Sequence, residues 1–327
     1  MKRFDSYRAA TACPLCGAAD GTLVAVADRH GGPLNVTCCA GCGLTYVDPI
    51  PTRDALARFY AERYRLEYKQ ASQPRLKHIY RAGRVAIGRL RVAGLLATPP
   101  ARVLDCGAGG GEFSYLLTSR GYRLTGIEPN DGYREFARAE YGVDLRPGTL
   151  DDNEFAPGEF DLITMFHVLE HVPDPAAALA RLAGWLRPGG HLYVEVPNAV
   201  TEVSSPSNLY HRAHLYYFAP GPLAALGRRA GLTPLLLDGS PQHANLTAVF
   251  TKAAQATAPA AVDAAAHDAV VAANRKRTLA AYLTAGPTLA SVLPRLLARA
   301  AERRIERSGL SGRATLDRLF ETEAPRL

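Results

Sequence analysis

Residues 102–117, RVLDCGAGGGEFSYLL, constrain the fold of this chain more than any other stretch. The segment opens with an apolar run typical of a buried β-strand, passes through a glycine-rich loop, and resumes with helical spacing from Glu112. A strand that leads through glycines into a helix is a repeating unit of α/β folds with a parallel sheet. We therefore predict an α/β domain whose ligand lies where the strand passes into the helix.

Residues 100–252 continue this alternation of strands and helices. The strand-like runs are RVLDCG, RLTGIEP, FDLITMF, HLYVEVP and LTPLLLDG, with amphipathic stretches between several of them. This pattern predicts a Rossmann-like, doubly wound and mainly parallel sheet. Before it, residues 51–99 are predicted to form a helical linker or lid, with helical spacing over 75–97, and residues 253–327 a helical C-terminal extension.

Five of the six cysteines lie in the first 42 residues. The motifs CPLCG and CAGCG repeat one spacing, which is typical of a zinc ribbon, so we predict such a module over residues 1–50. The predicted ligands of a structural Zn²⁺ are Cys13, Cys16, Cys39 and Cys42. Cys38 would break the repeat and is assigned to packing or to the role of an occasional substitute ligand. Buried reduced cysteines without a metal are the alternative.

The glycine loop departs from the pattern of a dinucleotide site. Counted from Gly107, the last glycine of G-x-G-x-x-G is replaced by Glu112, and Asp105 adds a second carboxylate. Carboxylates there would repel a pyrophosphate but suit a ligand with an ammonium group and a ribose. Glu128 ends the next strand about 20 residues further on, where an acid accepts hydrogen bonds from ribose hydroxyls. These features predict S-adenosylmethionine, bound by Asp105, Gly107, Gly109, Gly111 and Glu128.

On these motifs the chain resembles the class I S-adenosylmethionine-dependent methyltransferases. The resemblance implies that GTLDD is the turn after the third strand, with Leu150 against the adenine and Asp151 facing its amine. It also implies that FDLITMFHVLEHVPDP is the fourth strand and the start of a helix, which puts His167 at the cofactor. Residues 13–64 are similar to the N-terminal module of zinc-bearing members.

Methyl transfer to a hydroxyl requires alignment of the acceptor and removal of its proton. We predict His214, in SNLYHRAHLYYF, as the base because histidine titrates near neutrality. His167 and His171 are further catalytic candidates, since helical spacing in HVLEH would place both beside Glu170. A purely structural role for this stretch stays open, as does metal binding, because it is similar to the quinone-pathway O-methyltransferases.

The sequence around His214 is also similar to YHEHLSYFS of the zinc-ribbon sugar C-methyltransferases. Those enzymes have glutamate directly before the histidine, whereas Arg212 and Ala213 stand here with one residue inserted. Proton abstraction from carbon demands more of a base than abstraction from an alcohol, so this loss favours O-methylation. We expect a sugar, polysaccharide or natural-product acceptor. Nucleotide-sugar C-methylation and rRNA or tRNA methylation are the alternatives.

The charge composition indicates which classes of binding partner to expect. A net charge of +7 permits an anionic partner without requiring one, and Arg29 is the only arginine or lysine between the cysteine pairs. Nucleic acid is therefore not favoured over a small-molecule or carbohydrate acceptor. We expect a cytoplasmic protein, since no apolar run reaches the length of a membrane span and the start lacks an apolar signal core.

The C-terminal extension contains LPRLLARAAERRIERSGL, an apolar stripe beside several arginines. Packing on its own domain or on a second copy is the favoured role of such a helix, and weak contact with an anionic membrane surface stays open. A non-catalytic scaffold is the least favoured function, because the predicted cofactor site is intact.

Overall fold

The computed structural model describes residues 6–8, 12–52, 55–56, 58, 73–203, 209–252, 264–277 and 289–323, with side chains from residue 296 onward in the last range. The chain forms two compact units, Met1–Ala57 with Met165–Gly286, and Arg58–Thr164 with Pro287–Leu327. Each unit contains part of residues 100–252, and the predicted domain boundaries stay a prediction. Most of residues 53–72, in the predicted linker, and all of residues 253–263 and 278–288, in the extension, lie outside the described residues.

The strands of the described ranges are β1 (Tyr7–Arg8), β2 (Gly21–Ala27), β3 (Pro33–Cys39), β4 (Thr45–Val47), β5 (Ile50–Pro51), β6 (Arg102–Cys106), β7 (Arg123–Glu128), β8 (Leu145–Pro147), β9 (Phe160–Phe166), β10 (Leu186–Pro197), β11 (Tyr216–Tyr217), β12 (Leu232–Asp238) and β13 (Asn245–Lys252). The α-helices are α1 (Leu76–Leu96), α2 (Glu112–Thr118), α3 (Asp131–Phe136), α4 (Pro175–Trp185), α5 (Pro220–Arg229), α6 (Ala265–Lys276), α7 (Leu289–Glu306) and α8 (Gly312–Glu323). A π-helical turn, Ala137–Tyr141, continues α3, and 3₁₀ turns occupy Leu150–Asp152 and Leu169–His171.

A seven-stranded sheet has the order β12-β13-β10-β9-β6-β7-β8. The strands β6, β7 and β8 are parallel, whereas β13 runs antiparallel to both β10 and β12. The chain builds outward from β6 to β8 and resumes at β9 on the other side of β6, and ligands of such sheets bind beside this reversal. The predicted Rossmann-like, mainly parallel sheet is confirmed. The short β8 is the third strand that the resemblance implied before GTLDD, whereas the antiparallel β13 was not predicted.

In the unit that holds β6 to β8, α1 spans nearly the predicted helix and buries one face. Its buried residues recur with helical spacing: Ile79, Gly83, Ala86, Ile87, Leu90 and Ala93. The C-terminal helices α7 and α8 pack against α1. An ion pair of 3.4 Å joins Lys77 of α1 to Glu306 of α7. These helices therefore pack on their own unit, while dimerisation through them stays a prediction.

In the other unit, a four-stranded sheet has the order β11-β4-β3-β2. Its edge strand β11 comes from far along the chain and pairs Tyr216 with Tyr46 and Tyr217 with Thr45. Helix α6 covers β2 and β3, where the Asn274 side chain donates to the Val24 carbonyl at 2.7 Å. The cysteine-bearing strands are thus completed by two later segments. No helix within the described ranges has the length and apolar character needed to cross a membrane.

Candidate active site

The predicted glycine loop lies at the carboxyl end of β6. The backbone N–H groups of Gly107 and Ala108 both donate to the Ile127 carbonyl at 2.9 Å, which ties the loop to β7. Gly109 and Gly111 have φ of 60° and 85°, in the left-handed region that a side chain would disfavour, and Gly107 also has a positive φ. The glycine pattern therefore follows from the backbone conformation of this loop.

Glu128 is fixed to this loop by its carboxylate. Its Oε2 accepts from the Gly109 N–H at 2.9 Å, its Oε1 accepts from the Asn130 N–H at 3.0 Å, and the residue is 2% exposed. A carboxylate offers about four acceptor positions, so this anchoring is compatible with acceptance from ribose hydroxyls. The contacts place the loop and the predicted ribose-binding acid side by side.

Asp105 lies at the end of β6 and holds neighbouring elements together. Its Oδ2 accepts from the Ser114 hydroxyl at 2.7 Å and its Oδ1 from the Thr164 hydroxyl at 2.9 Å. Burial raises the pKa of Asp105, although both hydroxyls favour the charged form. These contacts fix the end of β6 from which the loop starts. Direct contact of Asp105 with the cofactor stays a prediction.

The acid of the neighbouring helix also lies against the loop. Glu112 begins α2 and is 8% exposed, and a Cβ added to Gly110 would lie 2.8 Å from its Oε1. A carboxylate held over the glycines disfavours a phosphate at this helix N-terminus. This arrangement agrees with the exclusion of a dinucleotide that the sequence indicated.

Leu150 and Asp151 lie in the 3₁₀ turn after β8. Thr149 and Asp152 form a capping box, in which the Asp152 carboxylate accepts from the Thr149 N–H and hydroxyl, both at 2.7 Å. Asp152 is therefore engaged in building the turn, while Asp151 is exposed and Leu150 is buried. This division of roles agrees with Leu150 and Asp151 as the predicted adenine contacts, which stay a prediction.

The segment HVLEH is not the α-helix that its spacing predicted. Only Leu169–His171 forms a 3₁₀ turn, and α4 begins at Pro175. The reason is local: Pro173 and Pro175 disfavour a helix before them, and the Asp174 carboxylate accepts from the Ala177 N–H at 3.0 Å as the helix cap. The 3₁₀ turn, and not an α-helix, therefore positions the histidines of this segment.

His167 follows β9 and is held between two carboxylates. Its φ of 55° is the only positive value of a non-glycine residue in the described ranges, a strain of the kind found at functional sites. Its Nδ1 lies 3.4 Å from Glu170 Oε1 and its Nε2 lies 3.7 Å from Glu195 Oε1. Burial alone would lower the pKa of His167, but the two carboxylates raise it to about 9. A protonated imidazole cannot accept the proton of an acceptor.

Glu170 is the centre of the histidine cluster. It is fully buried, neither carboxylate oxygen accepts a hydrogen bond, and Oε1 lies 3.9 Å from His171 Nε2. The Nδ1 of His171 lies 2.8 Å from the Ala213 carbonyl oxygen. Because a carbonyl only accepts, this contact puts a proton on Nδ1 and directs Nε2 toward Glu170.

His214 joins this cluster from the segment before β11. Its ring stacks on His211 at 4.7 Å and meets the edge of His171 at 4.8 Å. Its Nδ1 is buried without a hydrogen-bond partner. Burial and the neighbouring histidines lower the pKa of His214 well below its ordinary value. A neutral imidazole at neutral pH is the form that a general base requires.

One ligand atom each from Glu170, His171 and His214 lies within 4.8 Å of the others. The metal alternative of the sequence named His167 with Glu170 and His171, whereas the fold groups His214 with the last two. His167 contacts the same carboxylate from another side.

The four predicted zinc ligands come together in the N-terminal segment. Their sulfur atoms lie within 4.8 Å of one another, with 3.5 Å between Cys13 and Cys42 and 3.4 Å between Cys16 and Cys39. Zinc bonds of about 2.3 Å in a tetrahedron separate sulfurs by about 3.8 Å, so the donor set fits the ion. The Leu44 N–H donates to Cys42 Sγ at 3.4 Å, as at a metal-binding turn. Cys38 is buried outside this group.

Several residues of the site were not predicted. Glu195 contacts His167 and accepts from the Asn245 amide at 2.9 Å, and its signal was a lone acid within the apolar run HLYVEVP. Ser114 and Thr164, which hold Asp105, carried no signal, because hydroxyls are common in helices and strands. The contact of Arg212 with the N-terminal segment also had no signal in the sequence, since it joins distant parts of the chain.

Comparisons with known proteins bear on the family to which the chain belongs. Residues 76–237 match the model of a methyltransferase domain family. Ubiquinone biosynthesis O-methyltransferases of Aeromonas salmonicida and Bordetella bronchiseptica are 31% and 32% identical, over 43% and 47% of this chain. The matches span 66% and 70% of those relatives.

Among solved structures, the 1,6-didemethyltoxoflavin-N1-methyltransferase of Burkholderia thailandensis is 23% identical with a TM-score of 0.49, covering 64% of this chain and 95% of that one. The family assignment depends on the Bordetella relative, which is 32% identical over 70% of its length, together with the sheet and the glycine loop. This chain belongs to the class I S-adenosylmethionine-dependent methyltransferases.

Proposed function

We propose that the enzyme transfers the methyl group of S-adenosylmethionine to a hydroxyl of a sugar, polysaccharide or natural product. The observation that carries this proposal is the buried Nδ1 of His214, which has no hydrogen-bond partner and belongs to a ring beside the buried acid Glu170. Burial and the neighbouring histidines lower the pKa of His214, which favours the neutral form that a base requires. Methylation of a hydroxyl needs a base that removes the hydroxyl proton, whereas the methyl group of S-adenosylmethionine is already activated and needs none.

The cofactor would be held by the glycine loop, Glu128, Leu150 and Asp151, and when bound it supplies a methyl group activated on sulfur. His214 would accept the proton that the acceptor hydroxyl loses when its oxygen takes up this methyl group. The imidazolium that forms is stabilised by the carboxylate of Glu170. His171, whose Nδ1 is fixed by the Ala213 carbonyl, orients its Nε2 toward that carboxylate.

Two further observations bear on the acceptor. The relatives from Aeromonas and Bordetella are named O-methyltransferases, which supports transfer to oxygen. Nucleotide-sugar C-methylation stays the second candidate, because Glu170 brings a carboxylate to His214 from another segment and so replaces the glutamate missing at Arg212 and Ala213.

We also propose that Cys13, Cys16, Cys39 and Cys42 bind one structural zinc ion. The sulfur distances and the donor to Cys42 support this proposal. Metal analysis of the purified protein tests it together with the alternative at the histidines: one zinc per chain is expected. A second divalent ion that disappears in Glu170→Gln would favour a metal at Glu170, His171 and His214 over a general base.

The decisive experiment identifies the acceptor. The protein is incubated with methyl-labelled S-adenosylmethionine and fractionated lysate of its source organism, with and without ribonuclease, and His214→Ala serves as the inactive control. Label in a small molecule or polysaccharide, with the chemical shift of an O-methyl carbon, supports the proposal. A C-methyl product would select the second candidate, and label destroyed by ribonuclease would overturn both.

A further inference from the structure

The hairpin turn of the predicted zinc ribbon contacts the segment that carries His214. Asp28 closes the turn between β2 and β3, because its Oδ1 accepts from the His30 and Gly32 N–H groups at 2.9 and 2.8 Å. The next residue, Arg29, donates its backbone N–H to the Tyr210 carbonyl at 2.9 Å. The turn is therefore closed by its own hydrogen bonds and is bound to the segment 209–215 at Tyr210.

The second oxygen of Asp28 forms an ion pair with Arg212. Its Oδ2 lies 2.8 Å from Arg212 Nε, and the side chains are 4% and 24% exposed. A nearly buried carboxylate that loses its cation is left uncompensated, which makes this contact more costly to break than a surface pair. A Cβ on Gly32 would overlap the Arg212 guanidinium, so the turn and the arginine fit closely.

Arg212 lies between the residues that position His214. The Ala213 N–H donates to His211 Nδ1 at 3.0 Å, and the His214 N–H donates to the His211 carbonyl at 2.9 Å. The Ala213 carbonyl in turn fixes the tautomer of His171. A displacement of the backbone at Arg212 would therefore reach both histidine rings that contact His214.

We infer that Asp28 and Arg212 form a latch through which the zinc ribbon positions His214. This gives a role to Arg212, which stands with Ala213 in place of the single glutamate of the sugar C-methyltransferases: the arginine links this segment to the ribbon. Arg212 and Asp28 are positioning residues, because neither is placed to touch the reacting atoms. The consequence of the latch for catalysis rests on the proposed role of His214, whereas the latch itself does not.

The test measures how fast diethyl pyrocarbonate modifies His214 in the full, zinc-loaded chain. Peptide mass spectrometry gives the rate, with exposed His243 as the internal reference. Asp28→Asn keeps the acceptor for the two N–H groups but removes the charge that faces Arg212. Gly32→Ala keeps both charges and displaces the guanidinium by volume.

Matched controls come from the same unit. Lys276→Gln breaks an ion pair of 2.9 Å whose side chains are 66% and 35% exposed, and Gly184→Ala adds a methyl group with no neighbour within 4 Å. Modification of His214 should accelerate about tenfold in both latch variants, as expected when a charged contact that closes a segment is lost. The controls should stay within about twofold of the wild type.

Rescue separates positioning from general stability. Arg212→Lys retains the charge and should keep the slow rate that Arg212→Gln loses, at equal zinc content. If Asp28→Asn loses zinc, Gly32→Ala decides the question. Unchanged modification of His214 in Gly32→Ala, or equal acceleration in Lys276→Gln, would overturn the latch. Normal turnover with a rapidly modified His214 would reject its role as base and leave the latch in place.

Discussion

At the residue scale, Glu128 joins the glycine loop to the predicted ribose site. Replacing it with alanine removes the acceptor of the Gly109 and Asn130 N–H groups together with the acceptor for the ribose. Since hydrogen bonds to charged groups contribute about 1.5–3 kcal/mol each, we expect Glu128→Ala to weaken S-adenosylmethionine binding by about a hundredfold or more. Isothermal titration calorimetry measures this, with the exposed Glu135→Ala as control. Unchanged affinity in Glu128→Ala would show that the ribose lies elsewhere.

His214 is the residue on which the proposed chemistry depends. Its substitution by alanine removes the base but none of the predicted cofactor contacts, so binding of S-adenosylmethionine should be retained. Turnover should fall by about 10² to 10⁴, the usual contribution of a general base. The matched control is His243→Ala, because His243 is 54% exposed and pairs with Asp238 in the same unit. Full turnover of His214→Ala with the identified acceptor would eliminate His214 as the base.

At the scale of elements, Gly83 and Gly88, two of the three glycines of α1, offer a matched pair. A Cβ on Gly83 would lie 2.5 Å from the Leu316 side chain of α8, whereas a Cβ on Gly88 has no neighbour within 4 Å. Gly88→Ala should raise the free energy of unfolding by up to about 1 kcal/mol through helix propensity. Gly83→Ala should lower it, because Leu316 is fully buried and must move. Chemical denaturation measures both, and equal stabilisation would mean that α8 does not pack on α1 at Gly83.

Removal of zinc should unfold more of the chain than the strands of the ribbon itself. Structural zinc supplies the folding free energy of such modules, so Cys16→Ser should expose β2 to β4 to hydrogen exchange. Protection should disappear at β11 as well, because Tyr216 and Tyr217 pair with β4. Cys38→Ala is the control, since Cys38 lies outside the cluster and its loss should leave the zinc content unchanged. Retained protection in zinc-free Cys16→Ser would contradict a structural role for the metal.

Local signals in the sequence were sufficient for much of the fold and the cofactor loop. The strands β6, β7, β9, β10 and β12 were each predictable as apolar runs bounded by turns, and α1 from its helical spacing. The segment HVLEH does not form the helix that its spacing predicts, because Pro173 and Pro175 disfavour a helix before them. The strand β11 and the pair of Asp28 with Arg212 could not be predicted, since both join segments that only the folded chain brings together.

At the scale of the whole molecule, the net charge of +7 raises the question of an anionic acceptor. In α7, Glu302 and Glu306 pair with Arg81 and Lys77 of α1, whereas Arg303, Arg304 and Arg307 line one concavity at the end of the same helix. The predicted ribbon has Arg29 alone between its cysteine pairs. The excess basic charge therefore lies outside the predicted ribbon, which is the module that would be expected to dock an RNA.

This distribution leads to a prediction about salt. An RNA held by several phosphate contacts would lose about a thousandfold in affinity between about 50 and 200 mM salt, because each contact releases counterions. A sugar or natural-product acceptor carries few charges, so its kcat/KM should fall by less than about tenfold over the same range. Initial rates with the identified acceptor measure this, and the affinity for S-adenosylmethionine at each salt concentration is the control. A loss well beyond a hundredfold, with the cofactor affinity unchanged, would contradict the proposed acceptor class and favour RNA, because only a polyelectrolyte responds so steeply.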